Sequence, residues 1–389
     1  IISFEKYLIN SNDKNREAVI RSHKSELSYQ TYLELAINYY NRGLIEEAII
    51  LLNIGPNVTI NKIWESFLKK DKKALKKVIE TSSINFVFPF RRETIKVMEW
   101  AESITSEWKT TYYLALNLWG KDRFHEAEEK FLGLMNYPDE SIFYLTRALF
   151  LKKIRNKDPY KDLIKAYELD PYNWRIAKEI TNYYISKAKN NEAYKIIKKT
   201  YEKNKSNYII GMDYVKTLNI LKKYNIAIDL LDSLTILPYE HAGEGRDLYT
   251  KAYFGASINY INKSNFKKAI SLLKKSKEWP ENLGVGKPYN TDERIQDYLL
   301  YYCYYKLKKD EEAKNYLKII INYSRKNINK KTFLNVLGLE AIRKIEGNES
   351  SNKYLKKLVE SDHGLSRETK WISNYFKTNN ITNEDLNHD

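Results

Sequence analysis

One cysteine, Cys303, occurs in 389 residues. That excludes an intrachain disulfide framework and any multi-cysteine zinc site. Glycine and proline are scarce, 13 and 8 in all, too few to punctuate an all-β chain with its many turns. No run approaches the roughly 18 apolar residues with which a helix crosses a bilayer. The chain opens on Ile1, not Met, so the expectation is a piece of a longer protein, and a signal peptide ahead of it would not be visible.

Catalytic motifs are missing as well. Gly284-Val-Gly-Lys287 looks like part of a phosphate loop but lacks the spacing and the Ser or Thr after the lysine. His125-Glu126 opens like a zinc-protease helix, yet position 129 is Glu, not His. No serine sits in a Gly-x-Ser-x-Gly elbow, and Cys303 lies among tyrosines in a helical pattern, which reads as a packed thiol. No cofactor and no metal is expected, and whether the chain takes part in catalysis is left open.

What is present is apolar and basic. Hydrophobic residues make up 43% and tyrosine alone occurs 33 times, enough to bury a large core. The formal charge is 66 − 50 = +16. Only 14 of the 66 cations are Arg, the residue suited to bidentate phosphate and base contacts. The lysines are spread along the chain among Asp and Glu, so solvated helix faces explain the charge better than a nucleic-acid partner does.

The main signal is an internal repeat. In YLELAINYYNRGLIEEAIILL, Leu35, Ala36, Tyr39, Gly43, Ala48 and Leu52 fit two antiparallel helices joined by a tight turn, with small residues where they approach. This is the tetratricopeptide pattern, of period near 34. It recurs at Leu114, Ala115, Ala127 and Phe131, closes at Ala166 to Pro171, and resumes at Ile180, Tyr184, Ala193 and Ile197. Leu218, Ala227 and Leu231 follow, then Ala256, Tyr260, Ala269 and Leu273, then Leu300, Tyr304, Ala313 and Leu317. The fold expected is all-α, a right-handed α-solenoid of antiparallel helix pairs over residues 1–389. Degenerate repeats would occupy 1–110, regular ones 111–325, and degenerate capping helices 326–389. The aromatic stripes are read as core. The irregular string Phe86-Val-Phe-Pro-Phe-Arg-Arg92 is read as an extended connector packed on the first repeats.

The period breaks twice. Ala193 to Ala227 is 34 residues, but Ala227 to Ala269 is 42 and Ala269 to Ala313 is 44. The extra residues fall at 237–249 and 279–294, and both connect the second helix of one repeat to the first of the next. Four glycines and three prolines gather there, predicting defined loops side by side on one edge. The candidate binding residues are His241, Glu244, Arg246 and Asp247 from the first loop. The second contributes Trp279, Glu281, Asn282, Lys287, Tyr289, Asp292 and Arg294. A plainer reading gives the same residues to helix caps and ion pairs.

The strings FVFPFRRETIKVMEWA, WKTTYYLALNLWG, LPYEHAGEGRDLY and WPENLGVGKPYNTDERIQDYL resemble a bacterial family of uncharacterised proteins. Its members join an N-terminal galactose-mutarotase-like β-sandwich to a C-terminal tetratricopeptide region. The resemblance covers about residues 28 to 320 and is most specific in the two insertions. It implies that this chain corresponds to the C-terminal half, with a β-sandwich domain, another protein or a glycan as partner. No catalytic residue carries over. The function expected is a binding and scaffolding module that presents the two loops to a partner domain, peptide or glycan. The alternative is the C-terminal part of a carbohydrate-active enzyme, with Glu240, Glu244, Glu281 and Asp292 as candidate acids. A single cysteine suits the cytoplasm, and a periplasm is the alternative.

Overall fold

The computed structural model describes residues 1–23, 25–238, 242–362 and 366–377. Among them all regular structure is helical. Eleven helices precede residue 170: α1 (Ile2–Ile9), α2 (Asp13–Ser22), α3 (Ser28–Asn41), α4 (Ile45–Ile54), α5 (Thr59–Leu68), α6 (Lys72–Thr81), α7 (Arg92–Ile104), α8 (Trp108–Trp119), α9 (Phe124–Gly133), α10 (Ser141–Ile154) and α11 (Tyr160–Leu169). Eleven follow: α12 (Trp174–Ser186), α13 (Asn190–Lys203), α14 (Tyr208–Ile220), α15 (Tyr224–Ser233), α16 (Glu244–Asn262), α17 (Phe266–Ser276), α18 (Arg294–Lys306), α19 (Asp310–Lys326), α20 (Asn335–Glu346), α21 (Asn348–Glu360) and α22 (Arg367–Lys377). A single 3-10 turn, Glu281–Leu283, stands between α17 and α18. The chain divides into two compact units, Ile1–Ile180 and Thr181–Asp389.

Helices pair in sequence order, α3 with α4, α8 with α9, α10 with α11, α16 with α17, α18 with α19. The predicted small residues are buried. Ala36, Ala48, Ala115, Ala127, Ala193, Ala227 and Ala269 are all fully buried, with Ala256 and Ala313 nearly so. A methyl group at the crossing lets two backbones approach where a larger side chain would hold them apart.

The turn inside seven of the pairs has one form. A single residue takes a left-handed backbone: Gly43 (φ 79°), Lys70 (55°), Asp122 (58°), Ala188 (56°), Lys222 (56°), Ser264 (55°) and Lys308 (57°). The next N–H then donates to a carbonyl five residues back, as in Leu44 to Tyr39 (3.0 Å), Lys189 to Tyr184 (2.8 Å), Lys223 to Leu218 (2.9 Å) and Lys309 to Tyr304 (3.0 Å). This closure satisfies the last carbonyls of the first helix and reverses the chain. Only Gly43 has the residue best suited to it.

In the unit Ile1–Ile180 the core is largely aromatic. Trp119, Phe131 and Phe150 pack with centroids 5.1–6.3 Å apart, and Trp108 meets Phe143 edge-on at 5.8 Å. The buried Arg147 forks onto Asp162 (2.8 and 2.6 Å) and donates to the carbonyls of Phe131 and Met135. The 82–91 connector is irregular, not a strand. Ile84, Val87 and Pro89 are buried while Phe86 and Phe88 face outward. It is pinned by the Arg91–Glu34 ion pair to α3 and by Asn117 Nδ2, which donates to the Arg91 carbonyl at 3.0 Å.

In the unit Thr181–Asp389, Ala269, Leu273, Leu300 and Cys303 form one buried cluster. Burial pushes the Cys303 thiol up to about 11, so it is an inert packing group.

The left-handed closures generate a stability prediction. A non-glycine residue there costs about 1 kcal/mol or more relative to glycine, partly offset by glycine's freer unfolded chain. Ala188 and Lys308 are solvent-exposed. Ala188→Gly and Lys308→Gly should therefore each raise unfolding free energy by about 0.5 kcal/mol, and Gly43→Ala should lower it. Urea titration reads all three, and destabilisation by both glycines would contradict the assignment.

Candidate functional site

The two insertions meet within the second unit. Leaving α15 at Leu234, the chain runs extended to Leu237, and the 3-10 turn of the second insertion docks on it. Ile236 N–H donates to the Asn282 carbonyl at 2.8 Å. Asn282 Nδ2 in turn donates to the carbonyls of Leu231 (3.0 Å) and Leu234 (2.8 Å) at the end of α15. Gly284, with φ 74°, lies so close that an added Cβ would stand 2.7 Å from the Ile236 carbonyl oxygen. Both its backbone angle and its surroundings require glycine.

Two buried arginines hold the loops to the helices. Arg246, in the first turn of α16, donates from Nη2 to the Ser276 carbonyl at 2.8 Å. Its guanidinium lies 4.5 Å from the Trp279 ring centroid and 5.5 Å from that of Tyr249. Burial lowers its pKa from the usual arginine value, with Tyr249, Glu293 and Asp247 pulling the other way. Arg294, the first residue of α18, is 1% exposed. It forks onto Asp292 (2.9 and 2.7 Å) and donates from Nη1 to Ser324 Oγ (3.1 Å) and Asn335 Oδ1 (2.8 Å). The two arginines occupy similar places. Each lies in the first turn of the first helix of its repeat and donates to a serine 30 residues downstream in the last turn of the second, Arg246 to the Ser276 carbonyl and Arg294 to the Ser324 hydroxyl.

Beside them is a charge cluster that sequence reasoning did not single out. Lys277 bridges Asp297 and Glu293 (3.4 Å), and Lys287 meets Glu293 at 2.9 Å. Burial pulls the Lys277 pKa down, but the two carboxylates outweigh it and leave it raised. Burial also raises the Asp297 pKa in spite of Lys277, as expected where two acids share one buried ammonium. The available signal was spacing: Glu293 and Asp297 stand four apart on the start of α18.

The candidate residues thus divide into two sets. Arg246, Trp279, Asn282, Asp292 and Arg294 are brought together in bonds that join the loops to the helices. The Trp279 Nε1–H and the Arg246 Nε–H have no acceptor among the described residues. Glu244, Asp247, Glu281, Lys287 and Tyr289 face solvent, Tyr289 completely. Residues 244–249, expected as loop, form the start of α16. His241, with Tyr239 and Glu240, lies outside the described residues. Among the described residues no group of three His, Cys, Asp or Glu is placed to hold a metal ion. Among the described residues no helix is long and apolar enough to cross a membrane. His125 and Glu129 form an exposed pair at 3.2 Å on α9.

No protein-family model matches the chain, and no curated protein matches it in sequence. Solved helical-repeat proteins resemble it in fold. PilF of Pseudomonas aeruginosa is 16% identical, with 60% of this chain and 97% of that one covered and a TM-score of 0.35. The type IV pilus biogenesis factor PilW is 14% identical, covering 55% and 92%, at 0.32. A tetratricopeptide repeat protein from Parabacteroides merdae is 12% identical, covering 71% and 98%, at 0.32. The chain is a tetratricopeptide-like helical repeat on its own helix pairing and turns. These likenesses carry no argument about what it binds.

Two outcomes follow from the junction. Gly284→Ala should cost about 2 kcal/mol of stability, from the left-handed backbone and the displaced Ile236 segment together; a neutral result in urea unfolding would contradict the close approach. Lys277→Ala leaves Asp297 and Glu293 facing each other and should cost about 2–3 kcal/mol at pH 7. Loss of the ammonium raises the folded pKa of Asp297 further. A group so raised adds stability below its unfolded value, near 4, and loses it as pH rises through the folded value. The Lys277→Ala deficit should therefore shrink between pH 7 and about pH 4. A deficit that grows on acidification would rule this account out.

Proposed function

We propose that the chain is a partner-binding scaffold and that the junction of its two insertions is a preformed contact surface. One observation carries the reading. The junction is fixed from beneath by Arg246, Asn282 and Arg294, while Leu237, Glu281, Lys287 and Tyr289 stand exposed above it. Ordering a loop before binding removes entropy that would otherwise oppose association. An exposed tyrosine on rigid backbone is a favourable anchor, since it adds area with few rotatable bonds. A protein partner fits best. The resemblance of the inserted strings to the sandwich-linked family favours a β-sandwich domain as that partner, with a glycan between them as a further possibility under the same reading.

A carbohydrate-active enzyme part is the alternative. It asks Glu244 and Glu281 to act as an acid pair, and both are exposed without the enclosure that acid–base work requires. The binding reading is therefore favoured.

Arg246 and Arg294 are the wrong residues with which to test it, because replacing either disturbs the fold. Tyr289→Ala is the clean probe. It should leave stability within about 0.5 kcal/mol and weaken binding to an isolated sandwich-domain partner about tenfold, read by calorimetry. A photo-cross-linker in place of Tyr289 should give a protein adduct that the same group at Ile9 does not. No adduct, with an unchanged affinity for Tyr289→Ala, would overturn the surface.

A further inference from the structure

A second surface lies away from the inserted loops, where the turn between α14 and α15 faces the end of α16. A groove of about 340 Å³ is lined there by Lys222, Lys223, Tyr224, Ile226, Asn259, Tyr260 and Lys263, over Ala256. Its floor is apolar: Ala256 is buried, the two tyrosine rings are half-buried, and Ile226 is 47% exposed. Its rim is cationic. Lys222, Lys223 and Lys263 are exposed, and none has a carboxylate within ion-pair distance among the described residues. Lys223 instead sits over the Tyr194 ring at 3.9 Å.

Two features show how the sequence makes the groove. Gly255 stands in the middle of α16, where glycine costs about 1 kcal/mol relative to alanine. An added Cβ there would meet the Tyr224 ring at 2.3 Å. Glycine lets the ring lie against the helix and form a wall. Charge is the second feature. Four other second helices carry acids in their first turn, Glu46 and Glu47 in α4, Glu126 in α9, Glu192 in α13, and Asp310, Glu311 and Glu312 in α19. α15 and α17 carry none, as does α6. Lys309, in the turn before α19, pairs with Glu312, whereas Lys222, Lys223 and Lys263, in the turns before α15 and α17, are left uncompensated.

We propose that this groove binds an acidic peptide segment of a partner protein, with carboxylates on the lysine rim and an apolar side chain between Tyr224 and Tyr260. Size and chemistry favour a peptide over nucleic acid. A volume of about 340 Å³ holds a few side chains. The cations are all lysines, without the planar fork of arginine that suits phosphate and base contacts. The proposal rests on the partner-binding reading of the chain but not on the inserted loops.

Anisotropy of a short labelled peptide with alternating Glu and Leu tests it on the full chain. Binding should be saturable and weaken as salt rises from about 0.05 to about 0.5 M. It should fall about tenfold or more in Lys222→Glu/Lys223→Glu/Lys263→Glu, with unchanged circular dichroism. Lys222→Gln/Lys263→Gln, which introduces no new charge, should show a smaller loss. Gly255→Ala should weaken binding by displacing Tyr224, whereas Tyr289→Ala should leave it intact. Absence of binding, an affinity indifferent to the lysine variants, or equal competition by a single-stranded RNA would overturn the proposal. Loss in Tyr289→Ala alone would overturn it too, while keeping the loop junction as the binding surface.

Discussion

Seven pairs among the described residues depend on one constraint. Two helices joined by three or four residues must lie close together, so the residues at their crossing must be small and the turn must close in a fixed way. The buried Ala36 of α3 and Ala127 of α9 meet the first demand. The left-handed residue and its five-residue back-bond meet the second. Once these are set, the remaining faces of each helix are free to carry large side chains. That is why a chain with 33 tyrosines can bury many of them, Tyr32, Tyr112, Tyr113, Tyr144 and Tyr249 among them, between its helices. It also explains where variation is tolerated. The turn inside a pair cannot lengthen without losing its closure, but the connection between pairs can. Both insertions fall there.

Those same demands decide what was legible in the sequence. A small residue recurring near every 34 positions can be read without a structure, and so can its interruption at Ala227 and Ala269. The period also placed the two insertions on equivalent connections, and the Ile236–Asn282 bond shows them touching. The glycine content of 237–249 pointed to a loop, yet α16 begins at Glu244. Gly245 serves packing instead: its Cβ position lies 2.5 Å from Ile236. Composition reports that glycine is needed, not whether for a turn or for proximity.

The arginines were less legible for a physical reason. A partner 30 residues away leaves no mark within a short window, so Arg246 and Arg294 looked like ligand-binding cations. In the structure both are buried. A guanidinium withdrawn from water needs acceptors, and Asp292, Asn335 and the oxygens of Ser276 and Ser324 in the last turns of α17 and α19 supply them. The repeated Arg-to-Ser spacing was present in the sequence, but only a comparison of one repeat with the next would have drawn it out. What the loops expose is therefore the complement of what they use internally. Tyr289 stands fully exposed while Asp292, Arg294 and Asn282 are engaged.

Net charge needs the same local treatment. An excess of +16 spread over solvated helix faces is screened within about 8–10 Å at physiological salt and selects no partner. A few lysines lacking nearby acids produce a stronger local potential than the total suggests. The difference at α15 and α17 is the absence of first-turn carboxylates, not a richer supply of lysine. Because an acid in that position also stabilises the start of a helix, its omission from two successive second helices carries a small cost in stability. In both places the cost falls beside the groove that Gly255 opens for Tyr224. Two departures from what would best stabilise α15 and α16 meet at one surface, and that coincidence supports the proposed acidic-peptide site better than total charge does.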